Sequence, residues 1–172
     1  MKIKQKQINN ISLLVIAVIF IAVSTRLDLF KENYSTLSLS TKGYFLFLFM
    51  GLLAGIVLAY NTYLISGKKY ALLMFIALLL GTIIPHDITY NLQGNLHLLN
   101  AYLGFVLMEV VMFINVYKYS FINYKKSKTI SYILIISLII AFLSYTRYMC
   151  VNTLSELIVM LTNLFVVYLI NK

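Results

Sequence analysis

Tyr44–Ile65 reads YFLFLFMGLLAGIVLAYNTYLI, 22 residues without a charge. As a helix it would be about 33 Å long at 1.5 Å per residue, enough to cross a hydrocarbon core of about 30 Å. A bilayer offers the backbone no water, so a spanning segment of this kind must satisfy its own hydrogen bonds as a helix. An outer-membrane strand would alternate in polarity instead of running apolar throughout.

Similar runs lie on either side. One precedes it at residues 8–24, and others follow at 70–85, 98–121, 130–146 and 153–170. Short polar breaks separate them: Gly67-Lys68-Lys69, His86–His97, Asn123–Thr129 and Arg147–Asn152. The longest break, Thr25–Lys42, is rich in Ser, Thr and charge. The 70–85 run is short, about 24 Å as a helix, and Pro85 is expected at or just past its end, where a missing N–H costs little. The expected fold is all-α: a polytopic transmembrane six-helix bundle forming one domain over residues 1–172.

Composition agrees. Of 172 residues 62% are hydrophobic and 11% charged, against roughly 25% charged in ordinary soluble domains. Six spans of roughly 20 residues leave only short ends and connections, with no room for a soluble catalytic domain. A cytosolic enzyme, a disordered chain and a disulfide scaffold are excluded. The single Cys150 forms no intrachain disulfide.

The basic residues orient the bundle. With the N-terminus cytoplasmic, Lys2, Lys4, Lys6, Lys68, Lys69, Lys118, Lys125, Lys126, Lys128 and Lys172 lie inside, and only Arg26, Lys31, Lys42 and Arg147 outside. That asymmetry predicts both ends in the cytoplasm, N-in and C-in. No acid falls in a cytoplasmic segment. The net charge of +9 therefore reads as a topology signal with anionic lipid headgroups as its partner, and no basic face for nucleic acid exists apart from these loops. Lys2, Lys4 and Lys6 ahead of Ile11–Val23, with small Ala22 and Ser24, also have the layout of a signal peptide; an uncleaved first helix is the expectation. Many of the fourteen tyrosines, among them Tyr44, Tyr70, Tyr117 and Tyr148, fall near run ends as an interfacial belt. Richness in Lys, Asn, Ile and Tyr points to an AT-rich bacterial genome, so the expected location is the bacterial cytoplasmic membrane.

Both histidines and four of the five acids fall on the outer side in this topology. The candidate cluster there is Ser35, Ser38, Asp87, His97, Arg147 and Glu156. A metal site would want His86, Asp87 and His97 to converge, yet a catalytic zinc takes three protein ligands, no His-x-x-x-His pair is present, and neighbours such as His86 and Asp87 rarely reach one ion. No metal and no cofactor are expected. Catalysis would need a histidine base with Asp87 orienting it and Ser35 or Ser38 as nucleophile, without a nucleophile-elbow pattern around either. The simplest reading is structural: Asp87 and His97 cap helix ends and pair with Arg147, with Glu156 close by.

Glu109 stands apart. It lies 12 residues beyond His97, about 18 Å deeper along a helix. A carboxylate at that depth costs a few kcal/mol or more, so it is expected to face the bundle interior and carry its proton. It serves either as a hydrogen-bonded structural group beside Asn61, Thr62 or Asn163, or as a proton relay. Gly51-x-x-x-Gly55, with Ala54, has the spacing of close helix packing.

The motifs Tyr34-Ser35-x-x-Ser38 before a helix starting near Gly43, Pro85-x-Asp87, Gly94-x-x-His97 with Ala101, and Glu156 near the start of the last helix resemble a bacterial membrane family catalogued as domain of unknown function 998, itself similar to DRAM-type and Frag-type multi-spanning proteins. The resemblance covers roughly residues 9–170 and implies a six-helix bundle of unassigned activity. A more distant likeness to the CREST membrane hydrolases implies a metal amidase with more histidines than the two here, so that chemistry is not carried over. The functional expectation is a non-enzymatic membrane protein that binds membrane lipids or a membrane protein partner through an outer-facing polar cavity. A membrane-embedded lipid hydrolase is the alternative, and a small proton-coupled transporter using Glu109 the second alternative.

Overall fold

The computed structural model describes residues 2–86, 92–148 and 151–172, with side chains from Gln7 onward. Among these residues the regular structure is helical and no strand occurs: α1 Lys2–Ser24, a 3-10 helix Tyr34–Leu39, α2 Thr41–Ser66, α3 Lys68–Thr82, α4 Leu92–Ser120, α5 Tyr124–Tyr148 and α6 Thr153–Asn171. Among the described residues five segments are long and apolar enough to cross a membrane: Gln7–Ser24, Thr41–Ser66, Leu92–Ser120, Tyr124–Tyr148 and Thr153–Asn171. The 15-residue α3 is about 22 Å long and falls short of that length. The helices present bare aliphatic and aromatic faces, for example Ile8, Ile11, Leu14, Val15 and Val18 on α1 and Ile135, Ile136, Ile139, Phe142 and Leu143 on α5. Apolar surface of this extent belongs in lipid, and the chain has the make-up of a multi-pass membrane protein.

Helix ends depart from the apolar runs in one consistent way. α4 begins at Leu92 and α5 at Tyr124, about six residues before each run. A helix can continue past the hydrocarbon into water, so apolarity marks the lipid-spanning part and not the whole helix. His97, expected to open a helix, therefore stands inside α4. At the other junction α3 ends at Thr82, ahead of Pro85, whose ring disfavours helical backbone at the residue before it.

The chain divides into two compact units, residues 34–112 and residues 1–33 with 113–172. In the first, α2 and α3 form a hairpin through one connecting residue. Gly67 adopts φ 94° and its N–H donates to the Tyr63 carbonyl at 3.0 Å. Only glycine takes that φ without strain. The two helices then pack closely because glycines face them. A Cβ on Gly51 would run into the Thr82 side chain, one on Gly55 would press the Phe75 ring at 3.3 Å, and one on Gly104 of α4 would strike the Ala77 carbonyl oxygen of α3. Small residues at such positions let helices approach where no hydrophobic drive separates protein from lipid. Met50, Ala54, Leu58, Met74, Ala77 and Met108 fill the core.

In the second unit α6 packs against both α1 and α5. Leu13, Ile16 and Phe20 of α1, Ile130 and Leu134 of α5, and Val159, Leu164, Val166 and Val167 of α6 are among its buried apolar residues. The start of α6 is tightly organised. Asn152 and Ser155 form a reciprocal capping box, which satisfies two otherwise orphaned N–H groups. The Asn152 amide also exchanges hydrogen bonds with Ser144 of α5, at 3.0 and 3.1 Å. The Thr153 N–H and hydroxyl both donate to the Glu32 carbonyl, and the Leu154 N–H donates to the Leu29 carbonyl. The 25–33 loop is thus hung on the first turn of α6. At the far end, Lys126 Nζ donates to the Leu169 carbonyl at 2.6 Å, a cation at a helix C-terminus where the dipole favours it.

Candidate functional site

The polar residues of the 34–112 unit gather where α3 stops. The segment after Thr82 has helix-end carbonyls without intrahelical partners, and Pro85 removes an N–H from it. Three other elements answer these groups. From α2, the Tyr44 hydroxyl donates to the Ile83 carbonyl at 2.8 Å. From α4, His97 Nδ1 stands 2.6 Å from the Ile84 carbonyl. From the 3-10 helix, Ser38 Oγ accepts from the His86 N–H at 2.6 Å and itself donates to the Ser35 carbonyl at 2.7 Å. Tyr34, Ser35, Ser38 and His97 are all buried, and buried polar groups of this kind are costly unless bonded.

Two chemical consequences follow. A carbonyl oxygen can only accept, so the proton of the neutral His97 ring sits on Nδ1 and its lone pair on Nε2. Ser38, in turn, spends its O–H on a backbone carbonyl and its lone pair on a backbone N–H. A nucleophilic serine must instead hand its proton to a base, so Ser38 acts as a clasp and not as a nucleophile.

The sequence-predicted residues divide between the units. Ser35, Ser38 and His97 come together in residues 34–112. Asp87 lies outside the described residues. Arg147 and Glu156 belong to the other unit. Arg147 is exposed at the end of α5, and its side chain makes no hydrogen bond or ion pair among the described residues. Glu156 is half-buried in the first turn of α6, its N–H donating to the Asn152 carbonyl at 3.1 Å; a carboxylate there is favoured by the helix dipole. Glu109 is 6% exposed and so faces the interior.

Sequence reasoning missed the pairing of the two histidines. His86 and His97 stand with ring centres 5.2 Å apart at an interplanar angle of 61°. They are eleven positions apart, His86 just past the end of α3 and His97 inside α4. It also passed over Asn115, fully buried in α4 like Asn163 in α6; an Asn inside an otherwise apolar run was the available signal. Among the described residues no three metal-binding side chains converge. No family model, no curated protein and no solved structure matches this chain.

Proposed function

We propose that this is a six-span protein of the bacterial cytoplasmic membrane, with both ends cytoplasmic, that binds the polar headgroup of a membrane lipid at the α3–α4 end of residues 34–112. The observation that supports the reading best is the juxtaposition of His86 and His97 at that end. Of the two, His86 is only half-buried, and an imidazole N–H at the level where apolar helices meet water can donate to a phosphate oxygen. Lysine placement supports the orientation, since with the N-terminus cytoplasmic ten of the fourteen cations fall in cytoplasmic segments. The short α3 fits a span completed by the capped turn after Thr82.

A lipid hydrolase using a serine nucleophile is the weaker reading, because Ser38 is committed to two backbone groups. A transporter reading has one observation in its favour, the burial of Glu109 inside α4; intramembrane acids in protein interiors mark proton or ion paths elsewhere.

The test is lipid retention. The full chain, purified in mild detergent and examined by native mass spectrometry, should keep about one phospholipid per chain. His86→Ala should reduce that occupancy, and Arg147→Ala should not. Equal occupancy in both variants would defeat the assignment of this end. Release of cleaved lipid products would favour the hydrolase instead.

A further inference from the structure

We propose that the face of α5 headed by Lys125 and Lys128 holds an anionic phospholipid from the leaflet at that end of the helix. This is a second lipid site, and it does not rest on the reading of the His86–His97 end.

Hydrogen bonds fix which end this is. Ser144 and Asn152 join α5 to α6 at one end, and Lys126 Nζ and the Leu169 carbonyl join them at the other, so the two helices run antiparallel. The Ser127 hydroxyl, bonded to the Val116 carbonyl, brings the last turns of α4 to the Lys126 end. The acids of this unit lie at the opposite end: Asp28 and Glu32 in the loop hung on the start of α6, and Glu156 in the first turn of α6. Lys118, Lys125, Lys126, Lys128 and Lys172 stand at the Lys126 end, with no acid in the segments that carry them.

The lysines that open α5 are not equivalent. Lys126 is half-buried, and its ammonium is engaged by the Leu169 carbonyl at 2.6 Å and lies 5.6 Å from the centre of the Tyr119 ring. Lys125 and Lys128 are exposed, and neither ammonium makes a hydrogen bond or ion pair among the described residues. Lys128 Nζ stands 5.9 Å from the centre of the Tyr132 ring, whose hydroxyl makes no hydrogen bond among the described residues. Positions three and four apart share a helix face. Lys125, Lys128 and Tyr132 therefore form one row, and it continues through Ile135, Ile136 and Ile139, all exposed.

The order along that row matches a phospholipid: two ammonium groups, a phenol able to donate to a phosphate oxygen, then aliphatic side chains. One leaflet's half of the hydrocarbon core, about 15 Å, takes about ten helical residues, which from Thr129 reaches Ile139. Charge complementarity selects the anionic headgroup, since each basic residue near a bilayer surface adds to the attraction for anionic lipid and no neighbouring acid offsets it.

The chain has no tryptophan, so a single one introduced on this row reports on the lipid beside it. The full chain carrying Ile136→Trp is reconstituted into vesicles of equal parts phosphatidylglycerol and phosphatidylcholine, with the acyl chains of one or the other brominated as quencher. Brominated phosphatidylglycerol should quench the more strongly, and rising salt should weaken its advantage. Lys125→Gln and Lys128→Gln should each lower the preference by up to about fivefold and together abolish it, with helix content by circular dichroism unchanged. Arg147→Gln, at the other end of α5, and His86→Ala should leave the preference as it was. A reporter at Leu143→Trp, near that other end, should show none. Equal quenching by the two lipids at Ile136→Trp overturns the site, and so does a preference that survives the double substitution or is as large at Leu143→Trp. Because His86→Ala and the lysine substitutions are read separately, failure here leaves the His86–His97 reading standing, and failure of that reading leaves this site standing.

Discussion

His97 Nδ1 lies 2.6 Å from the carbonyl oxygen of Ile84, thirteen positions earlier in the chain. The bond joins the body of α4 to the residue before Pro85, where α3 can no longer supply a helical partner. It does for the end of α3 what a capping residue does at an ordinary helix end, from a different helix.

Removing that donor should therefore cost stability through a stranded acceptor. His97→Leu leaves the Ile84 carbonyl unanswered in a buried place and should destabilise by about 1–3 kcal/mol. His97→Asn should lose much less. Thermal unfolding in detergent, followed by circular dichroism, ranks the two. Equal losses would mean that the ring's packing matters and its N–H does not.

The glycines separate by what surrounds them. Gly51→Val and Gly104→Val force a side chain into Thr82 and into the α3 backbone at Ala77 and should each cost about 1–3 kcal/mol or more by overpacking. A Cβ at Gly81 meets nothing within 4 Å, so Gly81→Ala should be neutral or gain up to about 1 kcal/mol of helix propensity. Gly67→Ala has space but the wrong φ and should lose about 1–2 kcal/mol. A uniform response across the four sites would refute the close packing of α2, α3 and α4.

At the start of α6, Asn152 serves as cap and as partner to Ser144. Asn152→Ala should cost about 1–2 kcal/mol. Asn152→Asp keeps the accepting oxygen and should cost less. A double-mutant cycle with Ser144→Ala should return a coupling of about 0.5–3 kcal/mol; a value near zero would show that the two side chains do not depend on one another.

Topology is open to labelling in a Cys150→Ser background. A cysteine at Lys31 should react with an impermeant maleimide added to intact cells, and one at Lys125 only after lysis. Both positions are exposed. Ser127 in the same first turn of α5 is a poor reporter, since it is buried with its hydroxyl bonded to the Val116 carbonyl. Reaction at Lys125 in intact cells would invert the orientation.

Glu109→Gln tests the intramembrane acid. The amide keeps the shape and can donate and accept as a protonated carboxyl does, so the fold should hold within about 1 kcal/mol. Proton-coupled uptake in reconstituted vesicles, if the wild type shows it, should vanish. Retained coupling would remove Glu109 from any relay.

Sequence alone determined the helical class. A run such as Tyr44–Ile65 has no other way to satisfy its backbone in lipid, and scarce charges leave few places for the chain to meet water. It also singled out Pro85 as a break and Gly51 with Gly55 as a packing face. What it left open was which side of each helix meets protein. A spanning helix is apolar all round, because lipid and protein interior ask for the same residues, so periodicity that would mark the core of a soluble helix is absent. Only the packed structure separates Leu13, Ile16 and Phe20, which are buried in α1, from Leu14, Val15 and Val18, which are exposed beside them. The site depended on the fold for the same reason. Ser38, His86 and His97 stand far apart in the chain, and it is the turn after α3, with its unanswered carbonyls, that draws them together.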